Sequence, residues 1–208
     1  MKTLFIEAKR NLSISEDKIN EISSKLPNNI AIAYSIQYKD LANNIRQVLS
    51  REHKHKITAF NQILGCSNPK FSKDTKAILL ISNGKFHAIS LAFESKLPVY
   101  LFDNGNLEKI LESDIRKLEL KEKASYMKYL HANNIGILIS NKPGQENLKR
   151  ALTLKNKLKN KKAYLFLTNT INISEFQNFP QIESWVNTAC PRMNFDYPII
   201  NICKLEKN

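Results

Sequence analysis

The stretch Ile30-Ala31-Ile32-Ala33-Tyr34-Ser35-Ile36-Gln37 decides the fold, because it is a short apolar run that ends in polar residues. An apolar run of this length, followed by an amphipathic pattern, is typical of a buried strand that leads into a helix. Runs of the same kind alternate with helical patterns along the chain. This alternation predicts βαβ units, and therefore an α/β fold with mainly parallel sheets flanked by helices.

Apolar runs predict strands at Lys2–Glu7, Ile30–Ser35, Lys56–Phe60, Ala77–Ser82, Pro98–Phe102, Ile135–Ser140, Ala163–Leu167 and Ser184–Asn187. Amphipathic segments predict helices at Ser15–Leu26, Tyr38–Glu52, Lys85–Glu94, Leu107–Asn133, Gln145–Lys159 and Ile173–Phe179. Asp103-Asn104-Gly105-Asn106 is a turn-forming break before the longest predicted helix. We place the boundary between two α/β units there, with residues 1–104 in the first and residues 105–208 in the second.

The two predicted units resemble each other. Ile135-Gly136-Ile137-Leu138-Ile139-Ser140 repeats the opening pattern, and in each unit such a run leads into a loop that carries a glutamine, Gln37 or Gln145. Each unit later has a cysteine beyond a strand-like run, Cys66 or Cys190. The repetition predicts a duplicated fold. Because open α/β sheets bind ligands at the carboxyl ends of their strands, we expect these side chains to converge on one cleft.

Composition limits the class of protein. The 208 residues are 42% hydrophobic, which is enough for an ordinary core. No run approaches the roughly 18 apolar residues of a membrane-spanning helix, and charge interrupts the amino-terminal residues, so no signal peptide is predicted. We therefore expect a cytoplasmic protein without a membrane partner.

The formal net charge of +13 would favour an anionic partner such as RNA. However, the excess is mostly lysine, which recognises phosphate less well than arginine does. No aromatic-interleaved basic motif of an RNA-binding module is present. Direct nucleic-acid binding is therefore not predicted.

Three segments carry candidate chemistry. The three cysteines are an odd number with no CxxC pair, and a disulfide framework is not expected in a cytoplasmic protein of this size. Gln62-Ile63-Leu64-Gly65-Cys66 leaves an apolar run through a glycine, which lets the backbone approach a ligand closely. Ser82-Asn83-Gly84-Lys85-Phe86-His87 follows a strand and enters a helix, although spacing alone favours an ordinary helix residue at His87. Asn187-Thr188-Ala189-Cys190-Pro191-Arg192 is the most specific segment, because Cys-Pro recurs at iron–sulfur ligands and arginine suits a carboxylate.

These motifs, together with Lys142-Pro143-Gly144-Gln145, resemble in content and order those of the 2-(3-amino-3-carboxypropyl)histidine synthase family, which begins diphthamide synthesis. The similarity runs from about Leu4 to Leu205, and Pro198-Ile199-Ile200-Asn201-Ile202 resembles that family's closing strand. The resemblance implies three homologous α/β domains, each giving one cysteine to a [4Fe–4S] cluster that binds S-adenosylmethionine. It also implies radical transfer of the 3-amino-3-carboxypropyl group to a histidine of elongation factor 2.

The resemblance implies a role for each matching residue. Cys66 would be the cluster ligand of a middle-type domain, residues 1–104, and Cys190 the ligand of a C-terminal-type domain, residues 105–208. Cys203 matches no ligand position and is expected to be a buried thiol. No catalytic side chain is assigned, and the residues expected to line the S-adenosylmethionine pocket are Gln37, Gly84, His87, Gln145 and Arg192.

Two departures from the family pattern matter. Ser82 stands where the family usually has the first glycine of its turn. The family's first domain has no counterpart in these residues, and two thiolates do not hold such a cluster in the usual three-cysteine way. We therefore expect a synthase component completed by a separate single-Cys N-terminal domain protein or a second subunit. The alternatives are a non-catalytic accessory subunit and, from charge alone, a basic RNA-associated module.

Overall fold

The computed structural model describes Leu4, Ile6, residues 8–64, residues 69–190, Tyr197 and residues 199–206. Contacts within the chain divide it into two units between Leu118 and Glu119. Each unit has its own β-sheet. No helix in this described part is long and apolar enough to cross a membrane.

The described residues of the first unit form five strands: β1 Asn29–Tyr34, β2 Lys56–Gln62, β3 Ala77–Ile81, β4 Val99–Asp103 and β5 Asn106–Lys109. Their order in the sheet is β2-β1-β3-β4-β5. The first four strands run parallel, and β5 runs antiparallel to β4. The helices that begin in this unit are α1 Glu16–Lys25, α2 Lys39–Arg51, α3 Lys85–Ser95 and α4 Glu112–His131.

Both faces of the first sheet are covered, which explains why its central strands are apolar throughout. Successive side chains of a strand point to opposite faces. Ile30 and Ile32 of β1 accordingly belong to the core formed with α1 and α2, whereas Ala31 and Ala33 belong to the core formed with α3.

Within its described part, the second unit has four strands: β6 Asn134–Ser140, β7 Lys162–Thr168, β8 Ser184–Asn187 and β9 Ile199–Asn201. All pairs are parallel, in the order β7-β6-β8-β9. Helix α5 Leu148–Lys157 packs on one face, and the 3₁₀ helix Ile173–Asn178 packs on the other. A four-residue helix, α6 Ile202–Leu205, follows β9.

The strand order repeats between the units, since β2-β1-β3-β4 of the first corresponds to β7-β6-β8-β9 of the second. The predicted α/β class, with two mainly parallel sheets flanked by helices, is confirmed. The predicted strands from Ile30 onward are present with small shifts at their ends. Of the predicted strand Lys2–Glu7, the structure describes only Leu4 and Ile6, and neither lies in a strand.

The segment predicted as the boundary between the units has a different role. Asp103 and Asn106 are the paired ends of a β4–β5 hairpin, and Asn104 and Gly105 form its turn with φ values of 46° and 82°. Asn-Gly favours such tight hairpin turns because both residues tolerate positive φ. β5 therefore belongs to the first sheet, and the helix predicted to start at Leu107 starts at Glu112.

Candidate cofactor-binding site

The predicted site residues that the structure describes follow the carboxyl ends of parallel strands. In the first unit, Gln37 follows β1, and Gly84 and His87 follow β3. In the second unit, Gln145 follows β6 and Cys190 follows β8. Parallel strands end at one edge of their sheet, so each unit gathers its own candidates at one edge.

Gln37 lies in the 3₁₀ helix Ile36–Tyr38, and its side chain is exposed. Its backbone carbonyl accepts a hydrogen bond of 3.0 Å from the Arg10 amide. The Arg10 guanidinium donates to the hydroxyl of the buried Tyr38 over 3.2 Å. Arg10, which precedes α1, thus binds the loop that carries Gln37 through two hydrogen bonds. The sequence patterns did not predict this contact.

Gly84 forms the turn between β3 and α3 with a φ of 78°, a conformation that glycine adopts easily. Its N–H donates to Asp103 Oδ2 over 2.9 Å, so the end of β4 holds the turn. Lys85 pairs with Glu108 of β5, and this hydrogen bond raises the pKa of Lys85. Ser82 is buried and does not have a positive φ, so serine is compatible with the turn.

Two polar atoms at this edge are buried and have no hydrogen-bond partner among the described residues: Ser35 Oγ after β1 and Asp103 Oδ1 at the end of β4. Buried polar atoms are normally paired, so these two fit polar groups of a bound molecule or of water. His87 lies in the first turn of α3, with its ring centroid 5.5 Å from that of Phe86. The sequence patterns did not single out Asp103, although an acidic residue at a strand end is a recognisable signal.

Cys190 has a free, half-buried thiol. Asn187 Nδ2 donates to the Cys190 carbonyl over 2.8 Å, and Asn187 Oδ1 accepts from the Ala189 N–H over 2.9 Å. Thr188 is buried and donates from its N–H and its hydroxyl to the Leu138 carbonyl of β6, over 3.1 Å and 2.8 Å. The backbone that carries this thiol is therefore held in place by neighbouring groups.

Gln145 closes a turn that begins at Lys142, because its N–H donates to the Lys142 carbonyl over 3.0 Å. Asn147, the residue before α5, donates from Nδ2 to the Thr188 carbonyl over 2.9 Å and to the Gln145 carbonyl over 3.5 Å. Asn147 therefore ties the Gln145 loop to the Cys190 loop, which brings both residues to one edge of the second sheet.

Of the other two cysteines and Arg192, the structure describes only Cys203. Cys66 and Arg192 lie outside the described residues, so their assignments stay predictions. Cys203 lies in α6 with a half-buried thiol, whereas a buried thiol was expected. Cys66 comes after β2, but Cys190 follows β8, whose counterpart in the first unit is β3. In chain order, Cys66 therefore follows the second strand of its unit, and Cys190 follows the third strand of the other unit.

The donor chemistry of Cys190 fits a [4Fe–4S] cluster, because such clusters are held by cysteine thiolates. Within the described ranges, no group of three or more His, Cys, Asp or Glu side chains could hold a metal ion. Of the two thiols in these ranges, Cys190 and Cys203, the sequence assigns only Cys190 as a ligand, so any further thiolates would come from Cys66 and from other segments.

Residues 1–202 match the model of a protein family described as "Putative diphthamide synthesis protein". The 2-(3-amino-3-carboxypropyl)histidine synthase of Pyrococcus horikoshii is 27% identical over 207 residues, which cover 93% of this chain and 60% of that protein. The synthase of Methanocaldococcus jannaschii is 27% identical over 209 residues, covering 94% of this chain and 57% of that protein. Subunit 1 of the Homo sapiens synthase is 23% identical over 179 residues, covering 81% of this chain and 40% of that protein.

Two crystal structures of Dph2 from Pyrococcus horikoshii, one of them with a 4Fe-4S cluster, share the fold with a TM-score of 0.75 at 24% identity. The shared region covers 92% of this chain and 60% of Dph2. This chain thus spans about 60% of the length of the Pyrococcus relatives it matches. Because the family model matches nearly all of its residues, the chain belongs to the diphthamide synthesis protein family.

Proposed function

We propose that the chain is a component of a 2-(3-amino-3-carboxypropyl)histidine synthase, which transfers the 3-amino-3-carboxypropyl group of S-adenosylmethionine to a histidine of elongation factor 2. The observation that carries the proposal is the Cys190 loop, where a hydrogen-bonded backbone carries a free, half-buried thiol at the carboxyl edge of a parallel sheet. A metal ligand needs this combination of an available donor atom and a supported backbone. Membership of the family supports the assignment.

Each proposed site residue has a distinct task. A [4Fe–4S] cluster, when bound, would supply the electron and the open iron position for cleavage of the bond to the γ-carbon of S-adenosylmethionine. Cys66 and Cys190 would be its thiolate ligands. Arg192 would pair with the carboxylate of the methionine moiety, for which a planar guanidinium is well suited. The residues that would line the rest of the pocket are Gln37, Gly84, His87 and Gln145.

A third thiolate is part of the proposal, because three cysteines leave one iron of the cluster open for the substrate. This chain carries two cysteines that we assign as ligands and spans 60% of the Pyrococcus horikoshii synthase. We therefore propose that a segment outside these 208 residues supplies the third thiolate. A cytoplasmic location fits this chemistry, since reducing compartments keep thiols free.

Anaerobic reconstitution with iron and sulfide tests the proposal. The chain would be combined with a single-Cys amino-terminal domain, S-adenosylmethionine, a reductant and elongation factor 2. We expect release of 5′-methylthioadenosine and labelling of the factor. Cys66→Ala and Cys190→Ala should abolish both signals. Cys203→Ala is the matched control and should retain them, because Cys203 is not assigned as a ligand.

Two results would contradict parts of this proposal. Full activity of the isolated chain would show that no further thiolate is needed. If the chain instead stimulates a complete synthase equally well with and without Cys66 and Cys190, it acts as a non-catalytic accessory subunit.

A further inference from the structure

Asn187 is the last residue of β8 and is only 1% exposed. It is paired with Asn201 of β9 across the parallel ladder. Asparagine is seldom buried to this extent unless its amide is fully hydrogen-bonded, because an unpaired buried polar group is costly. The contacts of this amide therefore indicate why an asparagine stands here.

The Asn187 amide joins a strand to the cysteine loop. Its Nδ2 donates to Asn201 Oδ1 over 2.7 Å and to the Cys190 carbonyl over 2.8 Å. Its Oδ1 accepts from the Ala189 N–H over 2.9 Å. Both amide donors and one acceptor position are thus used, two of the three bonds going to the loop.

An amide is the side chain that this arrangement requires. Aspartate has the same shape but only accepts when ionised, so it could hold the Ala189 N–H and would face the Cys190 carbonyl without a donor. Thr188 holds the other side of the loop through two hydrogen bonds. Its hydroxyl donates to the Leu138 carbonyl, and its own carbonyl accepts from Asn147 Nδ2. Asn187 therefore supplies the contacts nearest to the thiol-bearing residue.

We propose that Asn187 is a positioning residue, which fixes the backbone of Cys190 so that its thiolate points toward an iron–sulfur cluster. This inference rests on the proposed function, because it takes Cys190 to be a ligand. Supporting groups of this kind determine how well a ligand is oriented, although they do not touch the metal.

The first test uses the metal-free chain. The alkylation rate of Cys190 by iodoacetamide is measured by peptide mass spectrometry, together with hydrogen exchange at the Ala189 amide. Asn187→Ala should raise the alkylation rate between about twofold and tenfold, the factor expected for loss of a buried hydrogen bond, and should remove protection at Ala189. Asn187→Asp, which keeps the shape and the acceptor, should raise alkylation while retaining part of the Ala189 protection.

Asn201→Ala is the matched control, because it removes the 2.7 Å bond between strands but leaves both contacts of Asn187 with the loop. It should leave Cys190 alkylation and Ala189 exchange near their original values. Equal changes in the Asn187 and Asn201 variants, or no change in either, would overturn the positioning role.

A second arm separates this inference from the proposed function. The chain and a single-Cys partner are loaded with iron and sulfide, and the protection of Cys190 from alkylation is measured. Cys190 should be protected in the original chain and less protected in Asn187→Ala. If loading leaves Cys190 unprotected in the original chain, the proposed function fails, whatever Asn187 does in the metal-free protein.

Discussion

Alanine at position 136 would place a methyl group against Trp185, the sole tryptophan of the chain. The added Cβ would lie 2.5 Å from Trp185 Cε3, 2.6 Å from Trp185 Cζ3 and 3.0 Å from Ile182 Cγ2. Trp185 is 1% exposed and stacks on Phe176 with ring centroids 4.1 Å apart, so the indole has little room to move. Strand β6 is paired on both sides, which also restrains the backbone.

Two opposing effects set the size of the change. Alanine in place of glycine in a strand stabilises the protein by about 0.5–1 kcal/mol through lower entropy of the unfolded chain. Overpacking a core costs about 1–3 kcal/mol. Because the methyl group meets an enclosed aromatic ring, we expect the steric cost to dominate. Gly136→Ala should lower the free energy of unfolding by about 1–2 kcal/mol and the melting temperature by about 2–8 °C.

Urea unfolding followed by Trp185 fluorescence measures this change in the second unit directly. Gly136→Ala combined with Trp185→Phe, followed by circular dichroism, is the control, because the smaller ring makes room for the methyl group. The two substitutions should show a favourable coupling energy of roughly 1 kcal/mol. Gly136→Ala with a stability within about 0.5 kcal/mol of the original chain would refute the close approach of Gly136 and Trp185.

Two further predictions concern the junction between α4 and β6. Lys161 Nζ donates to three carbonyls at the end of α4, so Lys161→Met should lower the free energy of unfolding by about 1 kcal/mol, whereas the exposed Lys159→Met should not. The pKa of Glu183 is lowered because its carboxylate accepts hydrogen bonds from the backbone amides of Asn134 and Asn133. The carboxylate therefore stabilises the protein above the ordinary pKa of glutamate. This stabilisation is lost as the pH falls through the lowered pKa. Urea titrations should therefore show a stability deficit for Glu183→Gln at pH 7 that shrinks on acidification, and a deficit that does not change with pH would contradict this assignment.

Strands β1, β3 and β6 could be predicted from the sequence because each is a short apolar run that is buried along nearly its whole length, a signal that is local. β5 was missed because Asn106–Lys109 is mostly polar and exposed, and it becomes a strand only by pairing with β4 across the Asn104-Gly105 turn. On sequence grounds alone, the same dipeptide also predicts a boundary between units. It was the correct signal for a turn, but the choice between a linker and a hairpin depended on the neighbouring strand.

The candidate site likewise has some features that the sequence predicts and others that depend on strand pairing. Gln145 and Cys190 were predicted from motifs, and the structure places both at the carboxyl edge of the second sheet. The supporting roles of Asn187 and Asp103 were not predicted, because their partners are set by strand pairing. Asn187 meets Asn201 only because β8 lies beside β9, and Asp103 meets Gly84 only because β4 lies beside β3.

The sequence by itself determined the α/β class, the repetition of the two units, most strand positions and the motifs on which membership of the family was predicted. These features depend on residue type and spacing along the chain, which are available before folding. Only the tertiary structure decided the β4–β5 hairpin, the contact of Gly136 with Trp185 and the hydrogen bonds that hold Cys190. Those features depend on which strands become neighbours, and hydrogen bonds and packing act between atoms that meet only when the sheet has formed.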